Sequence, residues 1–210
     1  MSTFKIEDAK FLEGFFPEWN WKELPREAYE QVLQTLQGIQ DIDKEVAEYL
    51  KERGVKIGFH KQYKSGGGWT LLRNITLSPG DDPMNPYVLS LIIHETFHLK
   101  QSLWERLSMQ GELRAWQYQK RTYRQLTGQD IGDAGQAYAG TKAHWDEIGK
   151  LDPESRTDVE RAQAMTKMVS PDYRSHCLPL FPLPQELRFY WRQREYVKAI
   201  LTVWNLITCR

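Results

Sequence analysis

The sequence predicts an α+β fold that is mainly helical, with a small sheet early in the chain and helices after it. Three observations carry this. Alternating apolar residues fall in "VKIGFHKQY" and "WTLLRNITLS", the period-2 pattern of strands. From Pro86 onward, apolar residues recur at helical spacing in nearly every segment. A chain of 210 residues with 40% hydrophobic and 27% charged content has the size and balance of one folded domain. A core at about 25–127 followed by a helical extension at about 130–210 is expected within it.

Residues 25–53 open with Pro25, stop at Gly54, and carry Val32, Leu33, Leu36, Ile39, Val46 and Leu50 at a helical period. A long amphipathic helix is expected there. Residues 55–63 are expected as a strand, "SGGG" (65–68) as a loop or mobile hairpin, and 69–78 as one or two further strands. Pro79, Asp81, Asp82 and Pro83 interrupt the chain before the next helix. That helix begins near Pro86 and carries Leu89, Ile92, Ile93 and Phe97; others are expected at about 109–127, 134–150 and 155–169. A Pro-rich connector, "SPDYRSHCLPLFPLPQ", leads to a last helix at about 185–207.

Charge and composition narrow the function. Lys+Arg and Asp+Glu number 28 each, for a net charge of zero. There is no basic excess to neutralise phosphates or hold an anionic membrane, so neither nucleic acid nor a membrane is expected as a partner. The apolar run "AILTVWNLI" is far short of the ~20 residues that span a bilayer. The start, "MSTFKIEDAKFLEGFFPEWNW", carries acidic residues and no continuous apolar stretch, so no signal peptide is expected there. Two cysteines, Cys177 and Cys209, are too few for a disulfide scaffold, so a cytoplasmic, reducing setting is expected.

Chemistry concentrates in "HETFH", residues 94–98. Positions four apart stack on one helix face, so His94 and His98 can direct both rings at one ion, with Glu95 beside them. Two imidazoles and one carboxylate on zinc leave a fourth position for water, the open arrangement of a catalytic site. The ion lowers the pKa of that water towards ~7, and Glu95 is placed to act as general base. Burying two histidines and a glutamate in so apolar a segment without a purpose would cost free energy.

Candidates for the third ligand are Glu112, His144, His176, Asp81 and Asp82. Glu112 qualifies only under a condition. A helix unbroken to residue 109 would end roughly 16 Å beyond His98, and three more residues span at most about 10 Å. The helix must therefore stop near Gln101 to Leu103, with residues 103–108 turning the chain back. Ser102 and Ser108 are plausible N-caps, and Ser102-Leu103-Trp104-Glu105 fits a capping box.

H-E-x-x-H followed after a short turn by "GELRAWQYQ" resembles the gluzincin branch of the zincin metallopeptidases, and most of all its compact bacterial members. Their second helix bears a glutamate, an alanine three residues on and often a glutamine seven on, here Glu112, Ala115 and Gln119. The resemblance implies His94, His98 and Glu112 as ligands of a zinc ion (Zn2+) and Glu95 as general base. It also implies a core in which a small twisted sheet packs on the H-E-x-x-H helix and a second ligand-bearing helix. It covers residues 55–127. Where some gluzincins have an aspartate to orient a histidine, this sequence has Trp116.

A zinc-dependent peptide-bond hydrolase acting on a peptide or protein substrate is the function expected. The alternative is a zinc-bearing module of the same fold that binds or regulates without cutting. For the oxyanion the candidates are Tyr173 and His176 in the connector, with His144 as another. "RNITLS" (73–78), with Thr76, lies where zincins keep an edge strand that pairs with substrate backbone. His176-Cys177 also raises the idea of a connector side chain blocking the metal's open position.

Overall fold

A computed structural model describes residues 44–59, 67–69, 74–78, 85–133, 141–169 and 177–208. The protein is mainly helical. Its contacts divide it into two compact units, one holding the described parts of Met1–Phe97 with Thr122–Gln129, the other His98–Arg121 with Asp130–Arg210.

In the first unit, α1 (Lys44–Arg53) buries Val46 and Leu50, one helical turn apart. It ends at Gly54, whose φ of 58° is the left-handed conformation glycine adopts without strain. The Val55 amide then donates back to the Leu50 carbonyl at 3.1 Å. Residues 25–43 of the expected long helix lie outside the described residues.

Three short strands follow: β1 (Lys56–Phe59), β2 (Gly67–Trp69) and β3 (Asn74–Leu77). Their order is β1-β3-β2, with β1 parallel to β3 (Ile57 opposite Ile75) and β2 antiparallel to it (Gly68 opposite Thr76). Ile57, Ile75 and Leu77 are buried. This corrects two expectations. Gly67 and Gly68 belong to a strand and not to a loop, because strand pairing uses backbone groups that glycine keeps. The strand at 74–77 is central and not an edge: Thr76 has Gly58 on one side and Gly68 on the other. It cannot accept an extended substrate as a further strand.

Helix α2 (Pro86–Lys100) starts where Asn85 accepts a hydrogen bond from the Tyr87 amide at 2.9 Å, with Pro86 in the first helical position. Its buried hydroxyls are satisfied locally, Ser90 donating to Tyr87 O and Thr96 to Ile92 O.

In the second unit, the last residues of α2 give way to α3 (Leu103–Arg106) and then α4 (Met109–Thr127). The helix stops at Lys100, as the Glu112 condition requires. Arg106 donates to the Leu99 and Gln101 carbonyls, capping orphan acceptors at the end of α2. Ser102 accepts from the Glu105 amide and Ser108 from the Gly111 amide, so both predicted caps form. The Met109 and Gln110 amides donate to the Pro179 and Leu180 carbonyls at 2.8 and 2.9 Å. The connector thus fixes the start of α4.

A 3-10 turn (Ile131–Asp133), α5 (Lys142–Ile148) and α6 (Arg156–Val169) come next; residues 134–140 of the helix expected at 134–150 lie outside the described residues. The expected last helix is two, α7 (Leu183–Arg192) and α8 (Tyr196–Thr208). The break falls at Arg194, with a φ of 59°, a conformation a helix cannot continue through. Helix α7 is anchored by Glu186, 1% exposed and held by Arg156 at 2.6 Å, whose guanidinium stacks 3.8 Å above Phe189. Helix α8 packs on α7 and buries no residue fully.

Candidate metal centre

His94 and His98 project from one face of α2, and Glu112 from the first turn of α4. One ligand atom from each lies within 4.8 Å of the other two, and all three residues are buried. His98 Nε2 stands 3.4 Å from Glu112 Oε1. A direct charged hydrogen bond would be shorter, at about 2.7–2.9 Å. Two atoms each ~2.0–2.1 Å from one tetrahedral ion sit about 3.3 Å apart. The spacing fits a shared metal better than a direct bond.

The far side of His98 fixes which nitrogen faces Glu112. Its Nδ1 lies 2.9 Å from Gln101 Oε1, and Gln101 Nε2 donates to the Gly111 carbonyl at 3.2 Å. A carbonyl can only accept, so the Gln101 amide must turn its NH2 towards Gly111 and its oxygen towards the ring. The proton therefore sits on Nδ1, and Nε2 keeps the lone pair a metal needs. Gly111 is fixed by space: a Cβ there would collide with the Glu105 carbonyl oxygen. Only glycine lets the first turn of α4, and Glu112 with it, lie this close to α3.

On α4 the buried face carries Glu112, Ala115 and Gln119, the pattern noted in the sequence. Its other side is stitched to the segment ahead of α6. Gln110 donates to the Pro153 carbonyl, Gln117 to those of Ile148 and Leu151, and Arg114 bridges Glu105 and Glu154. Glu95, which follows His94 on α2, is buried as well.

His144 is not part of the metal group. It is buried between Trp116 and Trp145, edge to face at ring separations of 6.2 and 6.0 Å. Desolvation pushes its pKa below the usual histidine value. His176, Tyr173, Asp81 and Asp82 lie outside the described residues. Cys177 is disulfide-bonded, and the sequence has one other cysteine, Cys209. It has no thiolate with which to block a metal, and cysteine number no longer argues for a reducing setting.

Two features escaped the sequence. Gln101 is one; its position three residues after His98 was the available signal. The other is a cleft of about 790 Å3 in the second unit, walled by Trp104, Arg156, Phe181, Arg188 and Phe189 among others. Its size suits a small ligand or a few side chains. No signal marked it, because its lining is scattered from residue 102 to residue 193.

The class the fold and site define is a mainly helical protein with a buried two-histidine, one-carboxylate group able to hold a metal ion. Compared with family models, curated proteins and solved structures, the chain matches none.

Proposed function

We propose that the chain is a zinc-dependent hydrolase of peptide bonds, built on a core of the zincin type. The observation that carries this is the buried His94–His98–Glu112 group, with its 3.4 Å spacing between His98 and Glu112 and the Nδ1–H of His98 held by Gln101. Two imidazoles and one carboxylate form a donor set that suits zinc and leaves a coordination position open. Bound zinc supplies an acidified water and a Lewis acid for the carbonyl oxygen. Glu95, buried beside His94, takes the proton of the attacking water and passes it to the leaving amine. His94, His98 and Glu112 hold the ion, and Gln101 orients one imidazole. On this reading the small sheet β1-β3-β2 corresponds to the sheet of the zincin core.

The test begins with metal content. Purified protein is expected to hold about one zinc per chain, and His98→Ala and Glu112→Ala to lose it while staying folded. Glu95→Gln is expected to keep zinc and lose about 10²–10⁴-fold in peptide cleavage. No metal after reconstitution would end the metal reading. Zinc without hydrolysis of any peptide by the wild type would turn the proposal into the non-cutting module.

A further inference from the structure

The structure assigns helix α8 a binding role that does not rest on the metal centre. Val197, Ile200, Trp204 and Ile207 are 71%, 68%, 62% and 72% exposed, and Leu201 is half exposed. Their spacing of three and four residues puts them on one stripe of the helix. Trp191 and Tyr196, both exposed and packed edge to face at 5.0 Å, extend the stripe across the turn into α7. The half-buried residues Ala199, Thr202, Val203 and Leu206 lie on other sides of the helix. So much contiguous apolar surface marks a contact site.

We propose that this stripe lies flat on an anionic lipid surface. Charge is the first argument. From Trp191 to Thr208 the chain carries Arg192, Arg194 and Lys198 against one acid, Glu195, an excess of two positive charges in a chain whose net charge is zero. All three cations are exposed and gather where the stripe begins. Overall neutrality, the ground for expecting no membrane partner, conceals this local excess. Aromatic chemistry is the second. Trp191, Tyr196 and Trp204 join an apolar body to a polar edge, as suits the boundary between headgroup and acyl chain. Length is the third. Thirteen residues make a helix about 20 Å long, and no helix among the described residues is long and apolar enough to cross a membrane. An apolar helix of this kind lies in the interface plane.

Area argues against a second copy as the occupant. A stripe about 20 Å by 10 Å offers a few hundred Å2, against the ~800 Å2 that each partner of a stable protein complex buries.

The experiment is flotation of the full chain with vesicles of phosphatidylcholine, with and without phosphatidylglycerol. The wild type is expected to float with the mixed vesicles and much less with phosphatidylcholine alone. Ile200→Glu/Trp204→Glu alters exposed positions only, so circular dichroism should show it folded, and it is expected to stay at the bottom. Arg192→Gln/Lys198→Gln is expected to weaken binding to the mixed vesicles roughly 25-fold, at about fivefold per basic residue. Failure of the wild type to float with either vesicle overturns the proposal. So does a wild-type dimer in sedimentation that Ile200→Glu/Trp204→Glu dissociates, which would make a second copy the occupant.

Discussion

Helices α2 and α8 break the same rule in opposite directions. Helix α2 buries His94, Glu95 and His98 among Ile92, Ile93 and Leu99, whereas α8 turns valine, isoleucine and tryptophan outward. Both departures are informative, because buried polar groups and large exposed apolar patches are what ordinary packing avoids. They are supported differently. A buried polar group is tolerated only when its hydrogen bonds are met, so the centre comes with fixed supports: Gln101 on His98, the Gly111 carbonyl on Gln101, and Ser108 on the Gly111 amide. Exposed apolar surface needs no such support in the chain. Helix α8 rests on α7, and α7 is pinned through the Arg156–Glu186 pair. One region is held by many local contacts and the other by few.

The largest effect expected from that difference comes from Arg156→Ala. Burial pushes the Glu186 carboxyl up, against the pull of Arg156. Removing the arginine leaves a buried acid without its counter-charge, a loss of about 3–5 kcal/mol. Urea unfolding measures the total, and amide exchange shows where it falls. Protection should drop first in 183–208 and stay in α2. Equal loss in both regions would break the comparison, because the two would then be one cooperative unit. Arg156→Ala/Glu186→Leu should recover most of the loss, since the uncompensated charge is gone.

Helix α2 was legible in the sequence for the reason that makes it robust: its signals are local. Asn85 and Pro86 mark its start, and Ser102 and Ser108 mark the turn that brings Glu112 back. All act within a few residues of where they sit. The His94–His98 pair followed from spacing of the same kind, and Glu112 from the resemblance to the gluzincins. What the sequence hid was non-local. The central place of β3 depends on which strands flank it. The link from His98 through Gln101 to Gly111 spans ten residues beyond Gln101, and the cleft draws on three separate segments. The periodicity of 185–207 tells which residues share a face but not whether anything covers it. Its break from α7 comes at an arginine in the left-handed region, where neither glycine nor proline gives warning.

A smaller effect tests the supports of the centre one at a time. Gln101→Leu keeps the bulk of the side chain and removes both hydrogen bonds. Nothing then fixes the proton on His98 Nδ1, and metal affinity is expected to fall about 10–100-fold, measured by competition with a chromophoric chelator. Vesicle flotation should not change, since α8 lies far along the chain in a separately anchored hairpin. Unchanged metal affinity would mean that His98 holds its tautomer without help, and the contrast between supported and unsupported regions would lose its strongest example.

The smallest effect comes from a buried histidine outside the centre. His144 is as buried as the metal-centre residues, yet its Nδ1 has no hydrogen-bond partner among the described residues. Desolvation lowers its pKa, so the folded protein takes up this proton at lower pH than the unfolded chain, which does so near the ordinary value of ~6.5. The sign follows. Below that value the unfolded state binds more protons, so the stability present above ~6.5 is lost as pH falls towards the depressed folded value. His144→Phe keeps the ring contacts with Trp116 and Trp145 and removes the titration. Between about pH 7 and pH 5 the metal-free wild type is expected to lose more stability than the variant, read from urea unfolding at both pH values. Groups common to both proteins contribute equally and cancel in the difference. Equal losses would show that His144 is satisfied by something other than a hydrogen bond, and that burial alone does not separate a working histidine from a packed one.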